Sequence, residues 1–186
     1  MSGLAVVAVI GSADGGTTHT LVGEVLKGAE QAGALTSAFC LGRGEYLADV
    51  AAAARERADG ADALVLATPM YRSSFTGVLK QFLDELPRVP HGDFESALLG
   101  KPVAVVGTGG SDHHYLGIDA LLGLLPRFFA SYVVPPGLYG RANQIADGHV
   151  LDDELAAAAR RLGHATVELA AAVAASAQLP RQRPQF

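Results

Sequence analysis

Residues Leu4 to Ile10 form a continuous, valine-rich apolar run that stops at Gly11, the pattern of a strand buried on both faces of a parallel sheet. The polar stretch Gly11 to Thr20 reads as a loop, after which Leu21, Val22, Val25, Leu26 and Ala29 recur at helical spacing. The same alternation then repeats. Ala34 to Leu41 predicts a second strand, Tyr46 to Asp59 a helix closed by Gly60, and Ala63 to Thr68 a third buried strand. Thr76 to Leu86 sets Val78, Leu79, Phe82, Leu83 and Leu86 on one helical face, and Pro87 with Pro90 ends it in a loop running to Gly100. Pro102 to Val106 predicts strand four, and the cluster Gly107, Gly109 and Gly110 leads to a helix from Tyr115 to Phe129 that is apolar almost all round. Tyr132 to Leu138 predicts strand five, weakened by Pro135 and Pro136. Asp152 to Ala175 predicts a last helix, with Asp152, Asp153 and Glu154 suited to its positive end.

Five apolar strands alternating with helices specify an α/β fold, a doubly wound parallel sheet with helices on both faces. Ligands of such sheets bind beyond the carboxyl ends of the strands, so the site is expected in the loops after strands one, three and four. Residues 1–178 read as a single domain without repeat or linker, and 179–186 as a mobile tail. Hydrophobic residues make up 49% and charged residues 18%, which excludes disorder for the bulk of the chain. A net charge of −5 leaves no broad basic face, so nucleic acid is not an expected partner. No uncharged apolar run reaches the ~18 residues of a membrane span, and the first residues lack the basic region of a signal peptide. A cytoplasmic protein is expected. The lone Cys40 has no internal disulfide partner and reads as an inert core thiol.

The loop Gly11-Ser12-Ala13-Asp14-Gly15-Gly16-Thr17-Thr18-His19-Thr20 combines flexible backbone with hydroxyls at the positive end of a helix, which suits a phosphate monoester. No lysine follows the glycines and the G-x-G-x-x-G spacing is missing, so neither a Walker loop nor a dinucleotide fingerprint is present. Taken alone, this loop reads equally well as a capped turn with no ligand. Adjacent histidines such as His113-His114 point apart, and no metal site is expected from them.

The remaining loops are more specific. After strand three the chain reads Ala67-Thr68-Pro69-Met70-Tyr71-Arg72-Ser73-Ser74-Phe75-Thr76-Gly77-Val78-Leu79-Lys80-Gln81-Phe82-Leu83-Asp84, and after strand four Gly107-Thr108-Gly109-Gly110-Ser111-Asp112-His113-His114. From about Gly11 to Tyr139, the order G-S, S/T-x-T, A-T-P-x-Y-x-x-S-x-x-G-x-L-K-x-F-L-D and T-G-G-x-x-x-H resembles the NAD(P)H-dependent FMN reductases of the flavodoxin-like class. The resemblance implies FMN with its phosphate on Ser12, Thr18, His19 and Thr20. It implies the isoalloxazine ring between Pro69, Met70, Tyr71, Arg72 and Ser73 on one side and Thr108, Gly109 and Gly110 on the other.

NADPH or NADH would be the co-substrate, and no side-chain acid or base is needed, because hydride passes directly to the flavin. The electrons would go to a flavin, a quinone or a similar small acceptor, with a monooxygenase as a further partner. A homodimer or tetramer is implied, and the nearly all-apolar helix from Tyr115 points the same way. The chain departs from the family pattern at His19, where relatives often carry arginine. It departs again at Ala120, where members that release flavin to a monooxygenase often carry tyrosine or histidine in a helical bulge. The competing reading is a non-catalytic electron carrier like flavodoxin. A fold that has lost FMN and serves as a scaffold is the third.

Overall fold

The computed structural model describes residues 3–86 and 96–184. In chain order the elements are β1 (Ala5–Ile10), α1 (Thr17–Gln31), β2 (Leu35–Cys40), α2 (Ala48–Asp59), β3 (Ala63–Pro69), α3 (Gly77–Asp84) and β4 (Pro102–Gly109). They continue with α4 (Ile118–Phe129), β5 (Tyr132–Arg141), the short β6 (Ile145–Ala146) and β7 (His149–Val150), and α5 (Asp153–Ala175). Strands β1 to β5 form one parallel sheet in the order β2-β1-β3-β4-β5. Winding reverses between β1 and β3, which opens a crevice at their carboxyl ends. The three inner strands are the ones with unbroken apolar runs, because they are covered twice. Val7, Val9, Leu64, Leu66, Val103 and Val105 face α2, α3 and α4. Their neighbours Val6, Ala8, Val65, Ala67, Ala104 and Val106 face α1 and α5.

Several boundaries differ from the sequence expectation. Strand β4 runs on through Gly107, which pairs with Thr68 and Tyr139, instead of ending at Val106. A Cβ on Gly107 would stand 3.1 Å from both Ile118 and Met70, so the bare strand end makes room for the packing above it. The expected helix from Tyr115 splits into a 3-10 segment, Asp112–Gly117, and α4. Pro135 and Pro136, joined by a cis bond, fall where the β4–β5 register shifts, and β5 resumes beyond them to Arg141. That is where an edge strand tolerates proline. The β6–β7 hairpin was not expected, although Asp147-Gly148, both at positive φ (50° and 75°), is the dipeptide that favours such a turn.

The loop expected from Pro87 lies outside the described residues as far as residue 95. At the other end, Leu179–Arg181 forms a 3-10 turn whose Leu179 carbonyl accepts from Tyr132 Oη at 2.8 Å. Among the described residues no helix is long and apolar enough to cross a membrane.

Candidate functional site

Helix α1 begins at Thr17, with Gly16 as its N-cap and no capping side chain. The first turn closes with Thr20 N–H donating to the Gly16 carbonyl at 3.0 Å, which leaves the amides of Thr17, Thr18 and His19 without an intrahelical acceptor. The first turn carries no acidic residue, so its positive end is uncompensated from within the helix. Behind it, Gly11 is held by Thr76, whose hydroxyl donates to the Gly11 carbonyl at 2.8 Å, and Thr76 N–H donates to Thr68 Oγ1 at 3.0 Å. A Cβ on Gly11 would meet Thr76 Oγ1 at 2.5 Å, so the loops after β1 and β3 interlock only because this residue is glycine.

After β3, Met70 N–H donates to the Thr108 carbonyl at 2.6 Å, tying this loop to β4. Tyr71 and Ser74 exchange both backbone hydrogen bonds around Arg72 and Ser73, which sit at φ 52° and 58°. Two consecutive non-glycine residues in the left-handed region store strain, of a kind that concentrates in ligand clamps. Ser73 Oγ donates to the His113 carbonyl at 3.4 Å, and a Cβ on Gly117 would stand 2.9 Å from the Ser73 carbonyl. The turn is thereby packed on the segment after β4.

Two adjoining cavities open here. The first, about 890 Å³, is lined by the loop Gly11 to Thr18, by Arg43 and Tyr46, and by Pro69, Tyr71, Phe75 and Gln81. The second, about 450 Å³, is lined by Thr17, Pro69 to Arg72, Thr108 to Gly110 and His114. Most of the residues singled out in the sequence thus converge. Ser12 and Thr18 border the first cavity, Met70, Arg72, Thr108, Gly109 and Gly110 the second, and Pro69 and Tyr71 both. His19, Thr20 and Ser73 border neither. Thr20 Oγ1 turns back to the Gly16 carbonyl at 3.2 Å, while His19 Nδ1 lies 3.3 Å from Asp14 Oδ1.

Thr18 is almost fully buried, and its hydroxyl is paired with that of Thr108 at 2.6 Å. Met70 is also buried in the core, which leaves mainly its backbone for the cavity. Thr17, Arg43, Tyr46 and His114 escaped the sequence reading. Three of them carried signals: Thr17 as a fourth hydroxyl in the loop, Arg43 as a basic residue between Gly42 and Gly44, and His114 as the last residue of T-G-G-x-x-x-H.

Charge around the first cavity is arranged in pairs. Tyr46 Oη and Arg55 both donate to Glu85 Oε2, at 2.7 and 2.6 Å. Burial and then Glu85 push the Tyr46 hydroxyl up to about 12, and the Tyr46 hydrogen bond in turn lowers Glu85. Cys40, expected in the core, is only half-buried at the end of β2. Burial first and the Asp14 carboxylate second raise its thiol to about 11, so it is protonated at neutral pH. Asp14, His19 and Cys40 bring one potential metal-ligand atom each within 4.8 Å of one another.

The family model described as NADPH-dependent FMN reductase matches residues 4–145. The NADH-dependent FMN reductase SfnE of Pseudomonas putida is 36% identical over 109 residues, 59% of this chain and 55% of that protein. FMN reductase (NADPH) of Escherichia coli strain K12 is 34% identical over 94 residues, 50% of this chain and 46% of that protein. The chain thus spans about half the length of the curated relatives it matches. Among solved structures, the apo form of NADH:FMN oxidoreductase (EMOB) superposes with a TM-score of 0.72 at 23% identity, covering 95% of this chain and 94% of that one. The flavodoxin, WrbA-like protein from Agrobacterium tumefaciens gives a TM-score of 0.66 at 20% identity, with 91% and 98% covered. At these identities the likeness is one of fold.

Proposed function

We propose, from the premise that the chain belongs to the NADPH-dependent FMN reductase family, that it binds FMN and passes electrons from NADPH or NADH through it to a small organic acceptor. The observation that carries this reading is the pair of adjoining cavities, one under the open amides of α1 and the other over the glycines ending β4. FMN has one end for each. Its phosphate suits the amides of Thr17, Thr18 and His19, with hydroxyls from Ser12 and Thr17 and the cation of Arg43 nearby. Its ring suits the slot between Pro69 to Arg72 and Thr108 to Gly110. The floor of that slot fits a flat ring: nothing lies within 4 Å of a Cβ placed on Gly110, so its backbone is open to a ligand.

When bound, FMN supplies the hydride chemistry, accepting two electrons from a nicotinamide and giving them up again. The chain's residues orient and exclude. Tyr71 and Arg72 of the turn would wall the ring slot, and the backbone N–H groups of Gly109 and Gly110 would stand near the edge of the ring where negative charge grows on reduction. No side chain needs to transfer a proton in the hydride step, and the acceptor proposed is a small organic molecule that reaches the open face of the ring. The test is direct. Purified protein should be yellow, release FMN on denaturation and oxidise NADPH or NADH with an added quinone or flavin. A colourless protein that takes up no FMN would refute the reading.

The chain is further proposed to work in the cytoplasm as a homodimer, or as a tetramer built from such dimers. Tyr115 and Leu116 on the 3-10 segment and Phe128 on α4 are exposed, Leu116 and Phe128 to 67% and 66%, and Tyr71 of the ring slot is open as well. A second copy would cover this face. Light scattering at micromolar concentration should give two or four times the chain mass, and a monomer would exclude it.

A further inference from the structure

His114 takes no part in the functions argued so far. It lies in the 3-10 segment after β4 and borders the ring slot beside Tyr71, Thr108, Gly109 and Gly110. Among the described residues, its Nδ1 is a buried side-chain nitrogen with no hydrogen-bond partner. That atom is pressed toward Gly109, where an added Cβ would stand 3.2 Å from Nδ1 and 3.1 Å from His114 Cβ. Tyr139 Oη, which the same Cβ would meet at 2.3 Å, is engaged with the Ser111 carbonyl at 2.6 Å. The position of Nδ1 selects the tautomer. A proton there would be a buried donor with no acceptor, whereas a bare nitrogen faces only the side of Gly109 that carries no side chain. The proton therefore belongs on Nε2, at the far end of the ring from the backbone.

We propose that His114, in its Nε2–H tautomer, is a flavin-binding residue that donates to the electron-rich edge of the isoalloxazine ring and favours the reduced cofactor. The proposal rests on the FMN reading and deepens it. A donor beside the amides of Gly109 and Gly110 stands where charge grows on reduction, so it binds reduced FMN more strongly than oxidised FMN. A histidine that merely fills space would be replaced by any ring of its size, and its nitrogen positions would be immaterial.

The experiment compares the midpoint potential of bound FMN, and the affinities for its oxidised and reduced forms, in the wild type and in H114F, H114N and H114Q. Phenylalanine keeps a ring without a donor, asparagine offers N–H near the Nδ1 position, and glutamine offers it near Nε2. In the phenylalanine and asparagine variants, reduced FMN should be held about tenfold more weakly relative to oxidised FMN, a fall of about 30 mV for the two-electron couple. The glutamine variant should stay near the wild type. An unchanged potential in H114F, or a fall in H114Q as large as in H114F, would overturn the proposal.

Nitrogen NMR of the wild type gives a check that depends on no variant. It should find His114 Nδ1 bare and Nε2 protonated, with Nε2 moving on addition of FMN, and the opposite tautomer would sink the idea. A wild type that binds no FMN defeats the functional reading itself. FMN bound with a potential insensitive to residue 114 defeats only this inference.

Discussion

At the scale of single residues, Thr17 and Thr18 show what one step along a helix changes. Successive positions on α1 point about 100° apart, so where the helix begins decides which hydroxyl faces the ligand. The sequence Gly15-Gly16-Thr17-Thr18 marks a start, but the N-cap is Gly16, which has no side chain to fix the phase, and the family resemblance points to Thr18. In the structure Thr18 is locked to Thr108 inside the fold, and Thr17 borders both cavities. Thr18→Val should therefore act on stability, leaving the buried Thr108 hydroxyl unpaired at a cost of about 1–3 kcal/mol. Thr17→Val should leave the melting temperature unchanged and weaken FMN binding by roughly tenfold, the worth of a hydrogen bond to a charged group. Thermal denaturation and FMN titration of the two variants separate the roles. Equal loss of FMN affinity in both, without destabilisation, would return the phosphate to Thr18. Gly109, Gly110 and Pro69, which the family resemblance named, do line the second cavity, and the part proposed for them depends on backbone shape more than on side-chain phase.

At the scale of elements, β1 and β3 were legible to within a residue, and β4 at its start, because burial on both faces leaves no polar position to blur them. The ends were less so: β4 continues through glycines that composition marks as loop, and the β6–β7 hairpin carries too few apolar residues to announce itself. What composition could not convey is how closely α1 and α5 cross. A Cβ on Gly28 would stand 2.1 Å from the Arg160 carbonyl, and one on Gly163 would stand 2.0 Å from the Val25 carbonyl. Helix backbones cannot yield as a flexible side chain would, so Gly28→Ala or Gly163→Ala should destabilise by about 1–3 kcal/mol or more, the usual cost of overpacking. Denaturant midpoints check this, and a neutral alanine would mean that the helices have room to part.

The start of α5 makes a second element-scale prediction. Asp152 accepts from Leu155 N–H at 2.9 Å and from Gln144 Nε2 at 2.6 Å, and its carboxyl is lowered first by the Leu155 hydrogen bond and then by Gln144. A folded pKa below the unfolded one means the cap's contribution is present above the unfolded pKa and lost as pH falls through the folded one. The melting-temperature gap between wild type and Asp152→Ala should be open at neutral pH and close in acid. A gap independent of pH would assign the effect to packing instead of charge.

At the scale of the whole molecule, the open question is whether FMN stays with the protein between turnovers, and α4 bears on it. Family members that release flavin often carry an aromatic residue in a helical bulge at the point occupied here by Ala120. Here Ala120 is exposed on an uninterrupted α-helix, and no π-helical turn occurs among the described residues. With a regular helix and a methyl group at that place, the chain has no bulky side chain there to compete for the ring slot or to lever the cofactor out. FMN is therefore expected to remain as a prosthetic group. With a retained flavin the expected order is successive use of one ring face: the nicotinamide reduces it and leaves, and the acceptor then takes the same place. Extensive desalting should leave close to one FMN per chain. Steady-state rates at varied NADPH and quinone should give parallel double-reciprocal lines, the signature of a substituted-enzyme sequence. Intersecting lines from a protein stripped of flavin by desalting would make FMN a substrate here, and would show that an aromatic residue at position 120 is not needed for release.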